Sequence, residues 1–412
     1  MFNNQGYQKV EFQDGADVYV INTCSVTDQA DKKCKKIVQQ ALRHNPEAYI
    51  AIVGCYAQLK PEEIANIKGV DVVLGASEKF NIVEHIEDKK RNSTKISASE
   101  VKHVNSFTPA YSEGDRTRTF LKVQDGCDYF CSFCTIPLAR GFSRSDTIEN
   151  TIKAVKELSQ KNIKEVVLTG VNIGDFGTKN KESFLNLIQE IETVDGIERF
   201  RISSIEPNLL TKEIIELVHS SKKFMPHFHI PLQSGSNKIL KLMRRRYQRE
   251  LYAEKVAYIK SLMPNCCIGV DVIVGFPHET DEDFLDTYQF LNQLDVSYLH
   301  VFTYSERENT TAIRMSDIVP MNKRNERSRM LHTLSDKKKR FFYENQLWSI
   351  VNVLFEQEND GGYMYGFSEN YVKVKTLYDP LLVNEIVPYK IKNIDSEGIA
   401  EGYVFLESPV KI

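Results

Sequence analysis

The sequence predicts an α/β protein in three parts: a small N-terminal α/β domain over 1–90, an open partial (β/α)6 barrel with a helical connector over 113–345, and a small C-terminal β-barrel or sandwich over 346–412. Three observations predict it. Apolar runs of strand length alternate with helical patterns through most of the chain. Six such βα units follow one another from Arg118 onward. The last stretch changes to short alternating runs such as SIVNVLF, YVKVKT and GYVFLES, broken by Gly and Asn-Asp turns.

In the first domain Asp17–Asn22, Tyr49–Val53 and Val70–Leu74 read as strands, and Asp28–His44 as a helix with Asp28 as N-cap. Pro61 opens a short helix over Glu62–Lys68. The polar, aperiodic stretch from about 91 to 115 reads as a linker. The second series places strands at Phe120–Val123, Glu165–Thr169, Arg199–Ser203, Phe228–Pro231, Ile268–Val274 and Tyr298–Phe302. Helices fall between them, at Ile148–Gln160, Phe184–Thr193, Lys212–His219, Arg249–Leu262 and Asp281–Leu294. A closed TIM barrel needs eight units, so six leave it open.

The 412 residues, 42% hydrophobic and 26% charged, exclude disorder and a disulfide-stapled mini-protein. The net charge of −3 excludes a globally basic nucleic-acid binder but allows a local basic face. No apolar run approaches the ~18 residues of a membrane span, and the opening MFNNQGYQKV lacks an apolar signal core. These features predict a reduced, cytoplasmic protein without membrane association.

The eight cysteines are the most informative residues. Cys24 and Cys55 each end an apolar run, and in open α/β sheets the carboxyl ends of strands are where ligands bind. Cys127, Cys131 and Cys134 share one loop, DGCDYFCSFCTIP, directly after the first strand of the six-unit series. Three thiolates so close suit a soft metal centre, Zn²⁺ or an iron–sulfur cluster. A structural zinc site wants a fourth Cys or His at short spacing, and none follows before His219. Three ligands on a four-iron cluster leave one iron open to a substrate or cofactor. Tyr129, Phe130 and Phe133 are expected to shield such a cluster from water. Cys34, Cys266 and Cys267 read as packing or surface residues.

CxxxCxxC after the first strand of a partial barrel resembles the signature of the radical S-adenosylmethionine (SAM) superfamily. Within it the chain is similar to the methylthiotransferases, through NTCSVTDQADKKCKK, IVGCYAQ, FLKVQDGCDYFCSFCTIPLARGFSRS, HIPLQSGSNKILKLMRRRY and VDVIVGFPHET. LTGVNIGDFG and RISSIEP are most like the branch that modifies N6-threonylcarbamoyladenosine in tRNA; another tRNA adenosine or a ribosomal protein residue is the alternative substrate. The C-terminal stretch resembles a TRAM domain, a small RNA-binding β-barrel.

The resemblance implies a [4Fe-4S] cluster on Cys127, Cys131 and Cys134 that cleaves SAM, and a second, sulfur-donating [4Fe-4S] cluster. Cys24 and Cys55 match the second and third ligand positions of that second cluster. The first belongs to a Gly-Cys that the chain starts too late to contain, which implies an incomplete ligand set and a truncated start. Partners implied are tRNA, through its anticodon stem-loop, and an electron donor protein; DNA is not expected.

The resemblance also assigns SAM contacts at strand ends. Gly170, Val171 and Asn172 match the segment facing the methionyl amine; Ser204, Glu206, Gln233 and Ser234 suit ribose or carboxylate contacts; Val274 and Gly275 match the adenine-side turn. Glu279 and Asp281 read as helix-start residues. Arg244–Arg246 and Lys337–Arg340 are candidate phosphate contacts. Tyr363, Tyr365, Phe367 and Tyr371 are candidate stacking surfaces for unpaired bases.

Overall fold

The computed structural model describes residues 2–24, 28–87, 95–98, 101, 106–112 and 117–405, side chains at 3, 4 and 28–32 apart. They divide into two compact units. One comprises Met1–Ser106, Gly126–Ser143 and Ser305–Arg314; the other comprises Phe107–Asp125, Arg144–Tyr304 and Met315–Ile412.

The first unit is built on a parallel sheet of β1 (Val18–Thr23), β2 (Tyr49–Gly54), β3 (Val72–Leu74) and β4 (Lys95–Ser97), in that order. Helices α1 (Asp28–His44), α2 (Cys55–Leu59), α3 (Pro61–Ala65) and α4 (Ile82–Glu87) connect them. Ile50 and Ile52 pack in one apolar cluster with Val38 and Ala41 of α1; Ala51 and Val53 pack in another with Val83 and Ile86 of α4. Burial on both faces is why β2 reads as an uninterrupted apolar run.

The stretch read as a linker contains β4 and also β5 (Ala110–Tyr111), which pairs antiparallel with β6 (Arg118–Lys122). Both strands are too short to show a period of two in sequence; pairing to a neighbour creates them. Residues 91–94, 99–100, 102–105 and 113–115 lie outside the described residues.

Among the described residues of the second unit, six parallel barrel strands follow one another: β6, β9 (Glu165–Thr169), β10 (Arg199–Ile202), β11 (His227–His229), β12 (Cys267–Val274) and β13 (Tyr298–Thr303). An isolated parallel bridge from Ser204 to His229 continues the sheet between β10 and β11. Two short strands, β7 (Gln124–Asp125) and β8 (Arg144–Ser145), flank the cysteine loop, which contains α5 (Ile136–Arg140). The crossover helices are α6 (Ile148–Ser159), α7 (Phe184–Glu192), α8 (Lys212–Ser220), α9 (Asn237–Leu242) with α10 (Arg249–Leu262), and α11 (Asp281–Gln293). Val166, Leu168, Val270, Val272 and Leu299 are buried in one apolar cluster with Ile188, Val256 and Leu291 of these helices. The alternate strand positions carry Glu165, Arg199, Arg201, His227, His229, Asp271 and His300, so the opposite, lumen face is polar.

The connector is one helix, α12 (Met321–Glu344), fixed to β13 by Ser335 Oγ donating to the Leu299 carbonyl at 3.0 Å. It leads to a closed barrel of β14 (Ile350–Phe355), β15 (Tyr363–Ser368), β16 (Lys373–Leu377), β17 (Ile386–Ile394) and β18 (Ala400–Val404). Arg201, 2% exposed, holds this barrel to the larger one. It donates to Glu165 Oε1 at 2.8 Å and to the carbonyls of Ser368 and Glu369 at 2.7 and 2.9 Å.

Candidate metal centre and cofactor site

In the first unit the loop that carries the three clustered cysteines is closed by its own backbone. The Cys127 amide donates to the Gly141 carbonyl at 3.1 Å, and the Ser143 amide to Asp128 Oδ1 at 2.8 Å. Gly126 has φ +70°, and a Cβ there would sit 2.1 Å from the Phe142 carbonyl oxygen, so the entry to the loop requires glycine. Cys127, Cys131 and Cys134 are not joined in disulfides and are of intermediate exposure. The Ile136 amide lies 3.4 Å from Cys134 Sγ as a donor, the arrangement that stabilises a thiolate ligand. Of the aromatics expected to shield a cluster, Tyr129 is buried. Phe130 is not: its backbone is left-handed (φ +48°), and its ring, 46% exposed, meets Phe142 edge-on.

Cys24 and Cys55 come together through strand register. Thr23 pairs with Gly54, so the two cysteines leave adjacent strand ends side by side. Cys24 is exposed and Cys55 partly buried. Arg140, on the helix that follows Cys134, donates from Nε to Cys55 Sγ at 3.4 Å. Both cysteine sets therefore belong to one compact unit. Arg140 is the residue the sequence reading missed: nothing in its spacing marks it, and only the packing of α5 against α2 aims it at Cys55. The other three cysteines are packing residues. Cys34, Cys266 and Cys267 lie in apolar clusters. Burial pushes the Cys267 thiol up to about 12 and raises Cys266 as well.

The expected cofactor contacts lie in the second unit at the carboxyl ends of its strands. Gln124 organises the turn after β9: its Oε1 accepts from the amides of Val171 and Asn172 at 2.8 and 2.9 Å. A Cβ on Gly170 would approach that oxygen to 2.9 Å. Asn172, 2% exposed, donates to Asp175 at 2.7 Å, while its Oδ1 is buried with no donor among the described residues. That orphan acceptor suits an ammonium group. Gln233 has φ +69° and bridges to Val272. At the end of β12, Gly275 has φ +76°, and a Cβ there would sit 2.3 Å from Arg324 Cγ. Its amide donates to both Glu279 oxygens at 3.1 Å, and Arg327 of α12 pairs with Glu279 at 2.5 Å. Glu279 thus fixes the Val274–Pro277 turn instead of simply opening α11.

Two assigned side chains are engaged by the protein itself. The Ser234 hydroxyl lies 3.2 Å from Thr287 Oγ1 and accepts from the Ser236 amide at 3.2 Å. Glu206 accepts a hydrogen bond from Arg245, whose side chain is 3% exposed. Ser204 forms the bridge to His229. A feature absent from the assigned contacts is the lumen group His229, Asp271 and His300. Burial disfavours ionised Asp271, but hydrogen bonds from both histidines outweigh it and hold its carboxyl at about 2. In sequence, the mark of Asp271 was an acid interrupting an apolar strand.

The basic runs separate into structural and exposed members. Arg245 is spent on Glu206, whereas Arg244 and Arg246 are exposed. Arg244 joins Lys238 and Lys241 on a cleft of about 930 Å³. Lys338 caps the end of α11 through the Leu294 carbonyl at 2.7 Å, and Arg340 pairs with Glu344 at 2.8 Å. Of the C-terminal aromatics, Phe367 and Tyr371 are not free for bases. Their rings stack at 4.9 Å, Tyr371 stacks on His227 at 4.4 Å, and Arg118 covers Phe367 at 4.4 Å. Tyr363 and Tyr365 remain on the outer face, each under a lysine, Lys375 and Lys373, at 4.6 and 4.2 Å.

Residues 121–291 match the Radical SAM superfamily, and residues 1–75 match the Uncharacterized protein family UPF0004. The chain is 40% identical over 402 residues to the threonylcarbamoyladenosine tRNA methylthiotransferase MtaB of Bacillus subtilis, covering 95% of this chain and 89% of that protein. It is 43% identical to the protein of the same name from Aquifex aeolicus, over 91% of each. It is 31% identical to the tRNA-2-methylthio-N(6)-dimethylallyladenosine synthase of Clostridium botulinum, over 96% of this chain and 90% of that protein. Among solved structures, the radical SAM methyltransferase TsrM of Kitasatospora setae superposes with a TM-score of 0.55 at 14% identity, over 71% of this chain and 63% of that one, a likeness of fold.

Proposed function

Because the chain belongs to the tRNA methylthiotransferase family of radical SAM proteins, we propose that it adds a methylthio group to C2 of N6-threonylcarbamoyladenosine next to the anticodon of tRNA. The observation that carries the reading is the pairing of two cysteine sets in one unit, with Arg140 of the cluster-loop helix bonded to Cys55.

Cys127, Cys131 and Cys134 would hold the SAM-cleaving [4Fe-4S] cluster, and Cys24 and Cys55 would ligate a second, sulfur-donating one. When bound, these groups supply the one-electron and sulfur chemistry that replacing an aromatic C–H requires and that no side chain provides. The protein's own residues bind and orient. The orphan Oδ1 of Asn172 accepts from the methionyl ammonium, and the Gly170–Asn172 backbone, pinned by Gln124, lets it approach. The Gly275 turn, locked by Glu279 and Arg327, presents backbone to adenine. Arg140 fixes the orientation of the Cys55 side chain through its hydrogen bond to Sγ. Ser204, Gln233 and the Val274 carbonyl side of the turn complete the ribose and adenine contacts. Ser234 and Glu206 act by shaping the loops they already bond.

The C-terminal barrel serves as a TRAM-type RNA-binding module through the lysine-covered faces of Tyr363 and Tyr365. An electron donor protein supplies the reducing equivalents, and the reaction takes place in the cytoplasm with its tRNA. Among the described residues no helix is long and apolar enough to cross a membrane. The reading is tested with anaerobically reconstituted protein, SAM, reductant and tRNA carrying either N6-threonylcarbamoyladenosine or N6-dimethylallyladenosine. The expected product is the 2-methylthio derivative of the first; selective conversion of the second would select the other branch of the family.

A further inference from the structure

The lumen face of β11, β12 and β13 carries a polar group that the cofactor contacts leave unused. His229 Nε2 lies 2.8 Å from Asp271 Oδ1, and His300 Nδ1 lies 3.3 Å from that same oxygen. The rings of His229 and His300 are 5.2 Å apart. Asp271 and His229 are mostly buried, while the His300 side chain is 52% exposed. Their neighbours Phe228, Ile230, Val270, Val272 and Leu299 are buried on the helix side, so strand alternation aims all three into the lumen. The second ring nitrogens, His229 Nδ1 and His300 Nε2, have no hydrogen-bond partner among the described residues.

Three such ligand atoms within 4.8 Å of one another invite a metal ion, but the surroundings favour an anion. A cation would have to displace both hydrogen bonds to Asp271. It would also enter a lumen where Arg118 and Arg201 already act on the neighbouring His227, whose buried imidazole is held neutral. An anion keeps both bonds. With Asp271 Oδ1 engaging one nitrogen of each ring, the second ring nitrogens face the lumen, where an imidazolium offers an N–H to a carboxylate.

The level in the barrel is also suitable. His300 is three residues before Thr303, the end of β13, which places it roughly 10 Å below the edge that carries the cofactor turns. A threonylcarbamoyl group joins threonine through its amine and so keeps a free carboxylate, remote from the purine; a dimethylallyl group has none. Resting on the substrate reading above, we propose that His229, Asp271 and His300 form the subsite that recognises the carboxylate of the N6 side chain, with His300 as the contacting group and Asp271 as its positioning residue.

The test compares two anticodon stem-loops with the reconstituted holoenzyme. One carries N6-threonylcarbamoyladenosine; the other carries the same nucleoside with its carboxylate converted to a primary amide. Wild-type protein is expected to favour the carboxylate in kcat/KM by about tenfold or more. In His300→Gln the preference falls toward unity, while His300→Lys, which restores a cation, retains it. Equal losses on both substrates in His300→Gln, or an undiminished preference, would overturn the subsite. So would a Co²⁺ ligand-field band in wild-type protein that disappears in His300→Gln, which would make the group a metal site. Wild-type protein that modifies neither stem-loop but does modify N6-dimethylallyladenosine would overturn the substrate reading itself, a result distinct from any variant effect.

Discussion

Cys131 stands between Cys127 and Cys134 in a loop that carries three thiols. Cys131→Ala should therefore abolish reductive SAM cleavage, measured as 5′-deoxyadenosine formed without tRNA; wild-type rates would remove the loop from the chemistry. Arg201 is a second residue on which much depends. Its guanidinium is paired with the fully buried Glu165 and with two carbonyls of the C-terminal barrel. Arg201→Leu leaves a buried carboxylate uncompensated and should cost about 3–5 kcal/mol. The double variant Arg201→Leu, Glu165→Leu should recover part of that loss in thermal or urea unfolding. If the double variant is no better than the single, the carbonyl contacts to the small barrel carry the energy instead. Gly275→Ala tests the adenine-side turn. A φ of +76° and a Cβ placed 2.3 Å from Arg324 Cγ make alanine strained twice over. The expected result is a raised KM for SAM together with a lower unfolding midpoint.

At the scale of elements, the strands and helices of both α/β series were legible because each pairs a clear period with a clear boundary. Asp28–His44 and Arg249–Leu262 were read with the bounds the structure has. What escaped were elements made by their neighbours: the three-residue β4, the two-residue β5, and α9, whose six residues are too few to display a helical period. The same reason governs the site. The cysteines were legible because chemistry fixes their type and spacing, whereas Arg140, Gln124 and His300 acquire roles only from what folding puts opposite them. The Arg244–Arg246 run shows the difference within three residues. As a string it is uniformly basic; on the connector after α9 its middle member is an internal ion pair. Arg244→Gln with Arg246→Gln should flatten the salt dependence of tRNA binding, by up to about 0.9 log units per lost duplex phosphate contact and about 0.7 on single strands. Arg245→Gln should lower thermal stability while leaving the salt slope as it is. A steeper loss of slope from Arg245 than from its neighbours would contradict this division.

For the whole molecule, the net charge of −3 means that tRNA binding as proposed must rest on local features, for which the Lys238, Lys241 and Arg244 cleft and the lysine-covered tyrosines of the C-terminal barrel are the candidates. The central claim is that these parts serve one reaction at one nucleoside. It is tested most directly by mass spectrometry of tRNA nucleosides from a strain deleted for this gene, complemented with the wild-type chain or with Cys131→Ala. The account predicts that 2-methylthio-N6-threonylcarbamoyladenosine is lost on deletion, returns with the wild-type chain, and stays absent with the variant, N6-threonylcarbamoyladenosine accumulating in its place. An unchanged level of that nucleoside in the deletion strain, with loss of a methylthio group from another adenosine or from a ribosomal peptide, would contradict it.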